Sequence, residues 1–206
     1  MAKRLVLLDF RLTGTVSSDV GKVIQVSVRT PIKEVFDKAA AHAKSVGGLD
    51  DLLICCHGFH ADGAVAGADI SIRTEGGQGL ELGTENLDFT TVGNVAVLNG
   101  SPPLAKRIVI FSCGAAATHP QLKNQHGDGM RLMGEIALTT GARVVASNES
   151  QLFHNFETLT HFLFGAGSKN DGRIDFGEWE GDVFEFSPDD GAARKLKRAE
   201  HPRFDF

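Results

Sequence analysis

Apolar positions along the chain fall into short blocks separated by polar and glycine-rich breaks. Leu5–Phe10 and Val23–Val28 are rich in Val, Ile and Leu and predict strands. Thr13-Gly-Thr and Ser17-Ser-Asp between them suit a turn. Thr30-Pro31 then opens a predicted helix. Thr30 is placed to cap it, and Pro31 fits a first turn that has no use for its missing N–H. Ile32, Val35, Phe36, Ala39 and Ala40 share one face of that helix, and Gly47-Gly48 ends it.

Leu52-Leu-Ile-Cys-Cys56 has no polar alternation. It reads as a strand covered on both faces, as in a parallel sheet. Ile108-Val-Ile-Phe111 reads the same way. Gly129–Thr140 carries Met130, Met133, Ile136 and Ala137 at helical spacing and is closed by Gly141; Arg143–Ala146 is a further strand. Strands alternating with helices predict one α/β domain over residues 1–190, a three-layer sandwich around a mostly parallel sheet.

The remaining segments are less regular. Phe59–Gly83 reads as an irregular excursion with short strands at Asp69–Arg73 and Leu80–Leu82. Asn86–Leu98 predicts a short helix or turn. Phe153, Phe156, Phe162 and Phe164 suit a helix packed on the sheet, and Val183–Phe186 a closing edge strand or hairpin. Residues 191–206 are basic and are expected to dock loosely.

Composition narrows the function. Hydrophobic residues make up 42% and charged residues 23%, ordinary values for a globular domain. The net charge of −5 argues against a general nucleic-acid binder. No apolar run approaches the roughly 18 residues of a membrane helix. The basic start before Leu5 has no small-residue cleavage site behind it, so it reads as a first strand and not a secretory leader. The three cysteines, Cys55, Cys56 and Cys113, suggest neither a disulfide framework nor a CxxC zinc site and suit a cytoplasmic protein. On a strand, Cys55 and Cys56 point to opposite faces.

Two of the buried strands end in a reactive residue followed by glycine: Leu53-Ile-Cys-Cys-His57-Gly58 and Val109-Ile-Phe-Ser-Cys113-Gly114. Ligands bind at the carboxyl ends of strands in an open parallel sheet. If the two strands are neighbours, an imidazole and a thiol project into one crevice. A cysteine nucleophile needs a fraction of thiolate and an acid for the leaving amine, and a histidine supplies both. The Gly58 and Cys113 N–H groups are candidate donors to an oxyanion. Cys56-His57-Gly-Phe-His60-Ala-Asp62 also looks like a metal cluster, but its spacing fits no zinc hydrolase motif, and neither a metal nor another cofactor is expected.

This order resembles the caspase-like cysteine peptidases, the group that includes caspases, gingipains, separase and the bacterial CHAT domains. The likeness extends to an uncharacterised bacterial branch in which the His-Gly strand leads to Gly-Leu-x-Leu-Gly, here Gly79-Leu-Glu-Leu-Gly83, and a later strand ends Ala-Ser, here Ala146-Ser147. It covers about residues 50–150. Phe111-Ser112 precede the cysteine where caspases carry an acidic or amide residue and alanine, so aspartate specificity is not implied. The resemblance implies a cysteine endopeptidase with a His57–Cys113 dyad, acting on a protein or peptide and controlled by maturation or an activating partner. On topology, Glu149 and, secondarily, Asp62 are candidate selectors of a basic P1 side chain, and Gly63–Gly79 a mobile activation loop. The alternatives are a non-catalytic protein-interaction module of the same fold and a small-molecule-binding α/β domain.

Overall fold

The computed structural model describes residues 2–12, 14–17, 19–64, 71–124, 126–151, 174 and 178–204. Among them, nine strands form two sheets. In the larger, β1 (Arg4–Asp9), β2 (Lys22–Val26), β3 (Leu49–Cys55), β6 (Ala105–Phe111) and β7 (Arg143–Ser147) run parallel in the order β2-β1-β3-β6-β7. The antiparallel strands β8 (Val183–Phe186) and β9 (Ala193–Lys195) complete one edge. The smaller sheet pairs β4 (His57–Ala64) with β5 (Ser71–Glu81). The chain is therefore α/β with a mostly parallel seven-stranded sheet.

Alternation along the central strands sorts their side chains into two cores. Leu5, Leu7, Leu52, Ile54, Ile108, Ile110, Val144 and Ala146 face one side, where helix α1 (Ile32–Ser45), helix α2 (Gly129–Thr140) and the 3-10 turn Val92–Leu98 pack. Val6, Leu8, Leu53, Cys55, Val109, Phe111 and Val145 face the other. There the β1–β2 connection lays Leu12, Val16 and Val20 over the sheet, and Ile174, Trp179 and Leu196 join them. Both faces are buried, which explains the unbroken apolar runs of β3 and β6. Cys55 and Cys56 lie in opposite cores, as their adjacency in an extended segment requires.

A charged ladder pins the register at the amino ends. Arg4, Asp51 and Arg107 stand side by side on β1, β3 and β6. The nearly buried Asp51 carboxylate takes Arg4 Nε at 3.3 Å and Arg107 Nη2 at 2.6 Å. A slip of either strand by one residue would leave that carboxylate unpaired in the interior, at a cost of several kcal/mol.

Three local expectations change. Thr30 does not cap α1: its Oγ1 accepts from Ser27 N, while the Ile32 N–H is capped from a distance by Glu85 Oε2 at 2.8 Å. The segment after Phe59 is no irregular excursion, since residues on both sides of 65–70 form the β4–β5 hairpin. The basic tail supplies β9, buries Leu196 and Pro202, and accepts a hydrogen bond from Trp179 Nε1 at the Pro202 carbonyl. Its anchors are apolar and aromatic and are hidden among lysines and arginines. The aromatic run Phe153–Phe164 lies outside the described residues. No described helix is long and apolar enough to cross a membrane.

Phe36 is fully buried on α1 against the sheet. Phe36→Ala should cost about 3–5 kcal/mol, read as a lower denaturant midpoint at unchanged slope.

Candidate functional site

Neighbouring strands bring the two motifs together. β3 and β6 are adjacent and parallel, and each pair in their ladder, from Leu49–Ala105 to Cys55–Phe111, is separated by the same 56 residues that separate His57 from Cys113. The Cys56 N–H bonds to the Phe111 carbonyl at 3.2 Å and carries the pairing one residue further. His57 and Cys113 thus leave the sheet side by side, at the carboxyl ends where parallel sheets hold their ligands.

Gly58 fixes how closely they leave. A Cβ on Gly58 would lie 2.0 Å from the Cys113 carbonyl oxygen and 3.1 Å from Ser112 Oγ. The backbones touch there, and any side chain would force them apart. Gly76 on β5 does the same from the other strand of the hairpin: its Cβ would meet the carbonyl oxygens of Cys113 and Gly114 at 2.7 and 2.6 Å. Gly58 therefore serves close approach, while Gly114 turns the chain, at φ 55°. The expected mobile loop Gly63–Gly79 is in part this packed strand: Gly76, Gly77 and Gly79 are buried in β5, and residues 65–70 lie outside the described residues.

The two candidate oxyanion donors differ in setting. Leu80 exchanges both backbone hydrogen bonds with Leu87, each at 2.9 Å. Its cross-strand partner Gly58 is then a non-hydrogen-bonded position of the hairpin, so the Gly58 N–H points away from β5. Cys113 sits just past β6, in a segment held from the β7 side by Gly114 N to Glu149 O at 2.8 Å and Ala116 N to Ser147 O at 2.9 Å.

The thiols have different surroundings. Cys55 and Cys56 are fully buried. Burial pushes both well above the ordinary thiol range, because a thiolate there would lose its hydration. The Ser112 hydroxyl, fully buried and without a well-aligned hydrogen-bond partner among the described residues, is close enough to Cys56 to oppose part of that rise. Cys113 is partly exposed, and its Sγ donates to the Gln151 carbonyl at 3.6 Å. Gln151 is itself fixed, its Nε2 donating to the carbonyls of Glu149 and Glu180 at 3.2 and 3.0 Å.

The two candidate selectors are far apart. Glu149 follows β7; its carbonyl is bonded to Gly114, and its exposed side chain lies over Gly181. Asp62 stands opposite Arg73, five residues along β4 from His57, roughly 16 Å away at strand rise. The fold brings the Glu149 backbone to Gly114, next to Cys113, and leaves Asp62 down the hairpin. Among the described residues no three His, Cys, Asp or Glu side chains form a metal-sized cluster.

The sequence reading overlooked an ionic cluster that reaches Glu81, the cross-strand partner of His57. Asp9, at the carboxyl end of β1, is completely buried and held by Arg11 through Nε at 2.7 Å and Nη2 at 2.8 Å. Gly83 N donates to Asp9 Oδ2 at 3.2 Å, and Arg11 Nη1 lies 3.6 Å from Glu81 Oε2. An aspartate closing an apolar strand, with arginine two residues on, was its visible signal.

Comparison with protein-family models, curated proteins and solved structures finds no match to this chain.

The backbone contact at Gly58 makes a direct prediction. Gly58→Ala should lower stability by about 1–3 kcal/mol, the usual cost of overpacking. Gly93→Ala, whose new Cβ meets nothing within 4 Å, should stay within about 0.5 kcal/mol of the parent. Paired urea titrations compare the two.

Proposed function

We propose that the chain is a cysteine endopeptidase of caspase-like fold, with Cys113 as nucleophile and His57 as acid and base. The observation that supports it is the matched register: two parallel strands of equal offset end in His57 and the partly exposed Cys113 at neighbouring positions of the sheet's carboxyl edge.

In this reading Cys113 Sγ attacks the substrate carbonyl carbon as thiolate, its proton having passed to His57. The carbonyl oxygen gathers negative charge between the N–H groups of Gly58 and Cys113. Collapse breaks the peptide bond as His57 returns the proton to the leaving amine, giving a thioester on Cys113. Water, deprotonated by His57, then hydrolyses that thioester. The chemistry needs no metal or organic cofactor. The bond from Cys113 Sγ to the Gln151 carbonyl holds the sulfur toward Gln151. It acts as a resting-state restraint, and maturation or a partner that shifts Gln151 releases it. Glu149, next to Gly114, selects for lysine or arginine at P1.

Thiol alkylation tests the dyad without a known substrate. With iodoacetamide at neutral pH, Cys113 should react while Cys55 and Cys56, held as buried thiols, stay unmodified in the folded protein. His57→Ala should slow Cys113 by at least about tenfold, because the thiolate loses its partner. Peptide mapping by mass spectrometry reads all three sites. An equal Cys113 rate in the folded His57→Ala protein contradicts the proposal. Among P1-varied peptides, cleavage after lysine or arginine should fall in Glu149→Gln.

A further inference from the structure

His57 is the first residue of β4, and its cross-strand partner is Glu81, the last of β5. Because Leu80 spends its backbone groups on Leu87, the Gly58–Leu80 pair is non-hydrogen-bonded and the neighbouring His57–Glu81 pair is the hydrogen-bonded kind. Directly opposed residues of an antiparallel pair project from the same face, with Cβ atoms about 5.5 Å apart. A glutamate is long enough to span that gap to an imidazole.

The Glu81 carboxylate is not left to wander. Arg11 Nη1 lies 3.6 Å from Glu81 Oε2, and the same guanidinium is clamped by the buried Asp9 and donates to the Gly83 carbonyl at 3.3 Å. The order of parts is thus Asp9, Arg11, Glu81, His57, running from the end of β1 to the end of the hairpin. Burying Asp9 without partners would be costly, so Arg11 is held in place, and Arg11 in turn restrains Glu81. Among the described residues, the charged and titratable groups on the elements that meet at His57 are Glu81 from β5, Arg11 and Asp9 from the end of β1, Cys56 preceding it, Cys113 from the end of β6, and Glu149 from the end of β7.

We infer that Glu81 is the positioning residue for His57: its carboxylate, steadied by Arg11, accepts one imidazole N–H and leaves the other ring nitrogen turned toward Cys113. The inference rests on the peptidase reading for its purpose, but not for its geometry. A carboxylate beside a catalytic imidazole fixes the tautomer and favours the imidazolium that forms when the thiol gives up its proton. Glu81 occupies the variable position of the Gly-Leu-x-Leu-Gly stretch, so this role belongs to the chain's own residue and not to the pattern around it.

The experiment is a long-range ¹H–¹⁵N correlation spectrum of His57 in the full chain, assigned by loss of its signals in His57→Ala, together with the Cys113 alkylation rate. The parent should show one dominant His57 tautomer. Glu81→Ala should convert it to a mixture and slow Cys113 alkylation about tenfold. Glu81→Asp, and to a lesser degree Glu81→Gln, should restore part of both, with circular dichroism confirming that every variant is folded. An unchanged tautomer signature in folded Glu81→Ala overturns the inference. If the tautomer changes while Cys113 is insensitive to His57→Ala, Glu81 still positions His57 and the peptidase reading is the one that fails.

Discussion

The close packing of Gly58 on the Cys113 backbone is the constraint on which the site depends. The β3–β6 ladder sets the two motifs at the same level, but a ladder alone would let the chains diverge once they leave the sheet. Glycine at 58 lets them stay in contact for one more residue, and glycine at 76 closes the hairpin down on the same carbonyls. The parallel sheet supplies direction, and the absence of two side chains supplies proximity. A site assembled this way sits on sheet elements, which is what the proposed nucleophile and base require.

Charge is distributed to match. At the amino ends, Arg4 and Arg107 flank Asp51 and hold the register from which everything downstream is measured. At the carboxyl ends, Asp9 and Arg11 form a buried pair that ties the end of β1 to Gly83 and Glu81, and so to the hairpin that carries His57. Between these two ionic layers the central strands β1, β3 and β6 are wholly apolar. Buried charges cost desolvation wherever they occur. Asp51 and Asp9 occur where strand registration and hairpin placement are at stake, and the buried Asp128 caps α2 through the Arg131 N–H.

Much of this was legible in the sequence. The uninterrupted apolar runs announced doubly covered strands, and the helical spacing of Gly129–Thr140 matched α2 from end to end. His57 and Cys113 stood out because each closes such a run. What escaped the reading was set by partners distant in sequence. Glu85 caps α1 from 53 residues away. The glycines of β5 looked like a flexible loop because glycine signals both freedom and close approach, and only the neighbour decides which. Leu196 and Pro202 anchor a tail whose charges dominated its appearance. Glu81 drew no notice inside the short strand Leu80–Leu82, and only the hairpin register sets it opposite His57.

The most direct test of the proposed dyad is adduct formation with a lysyl acyloxymethyl ketone, a weak electrophile that needs an activated thiolate at a peptidase-like site. Intact-mass and peptide mass spectrometry should find one adduct, on Cys113, in the parent protein and none in folded His57→Ala or Cys113→Ala. No adduct in the parent, or one that forms equally fast in His57→Ala, would contradict the account.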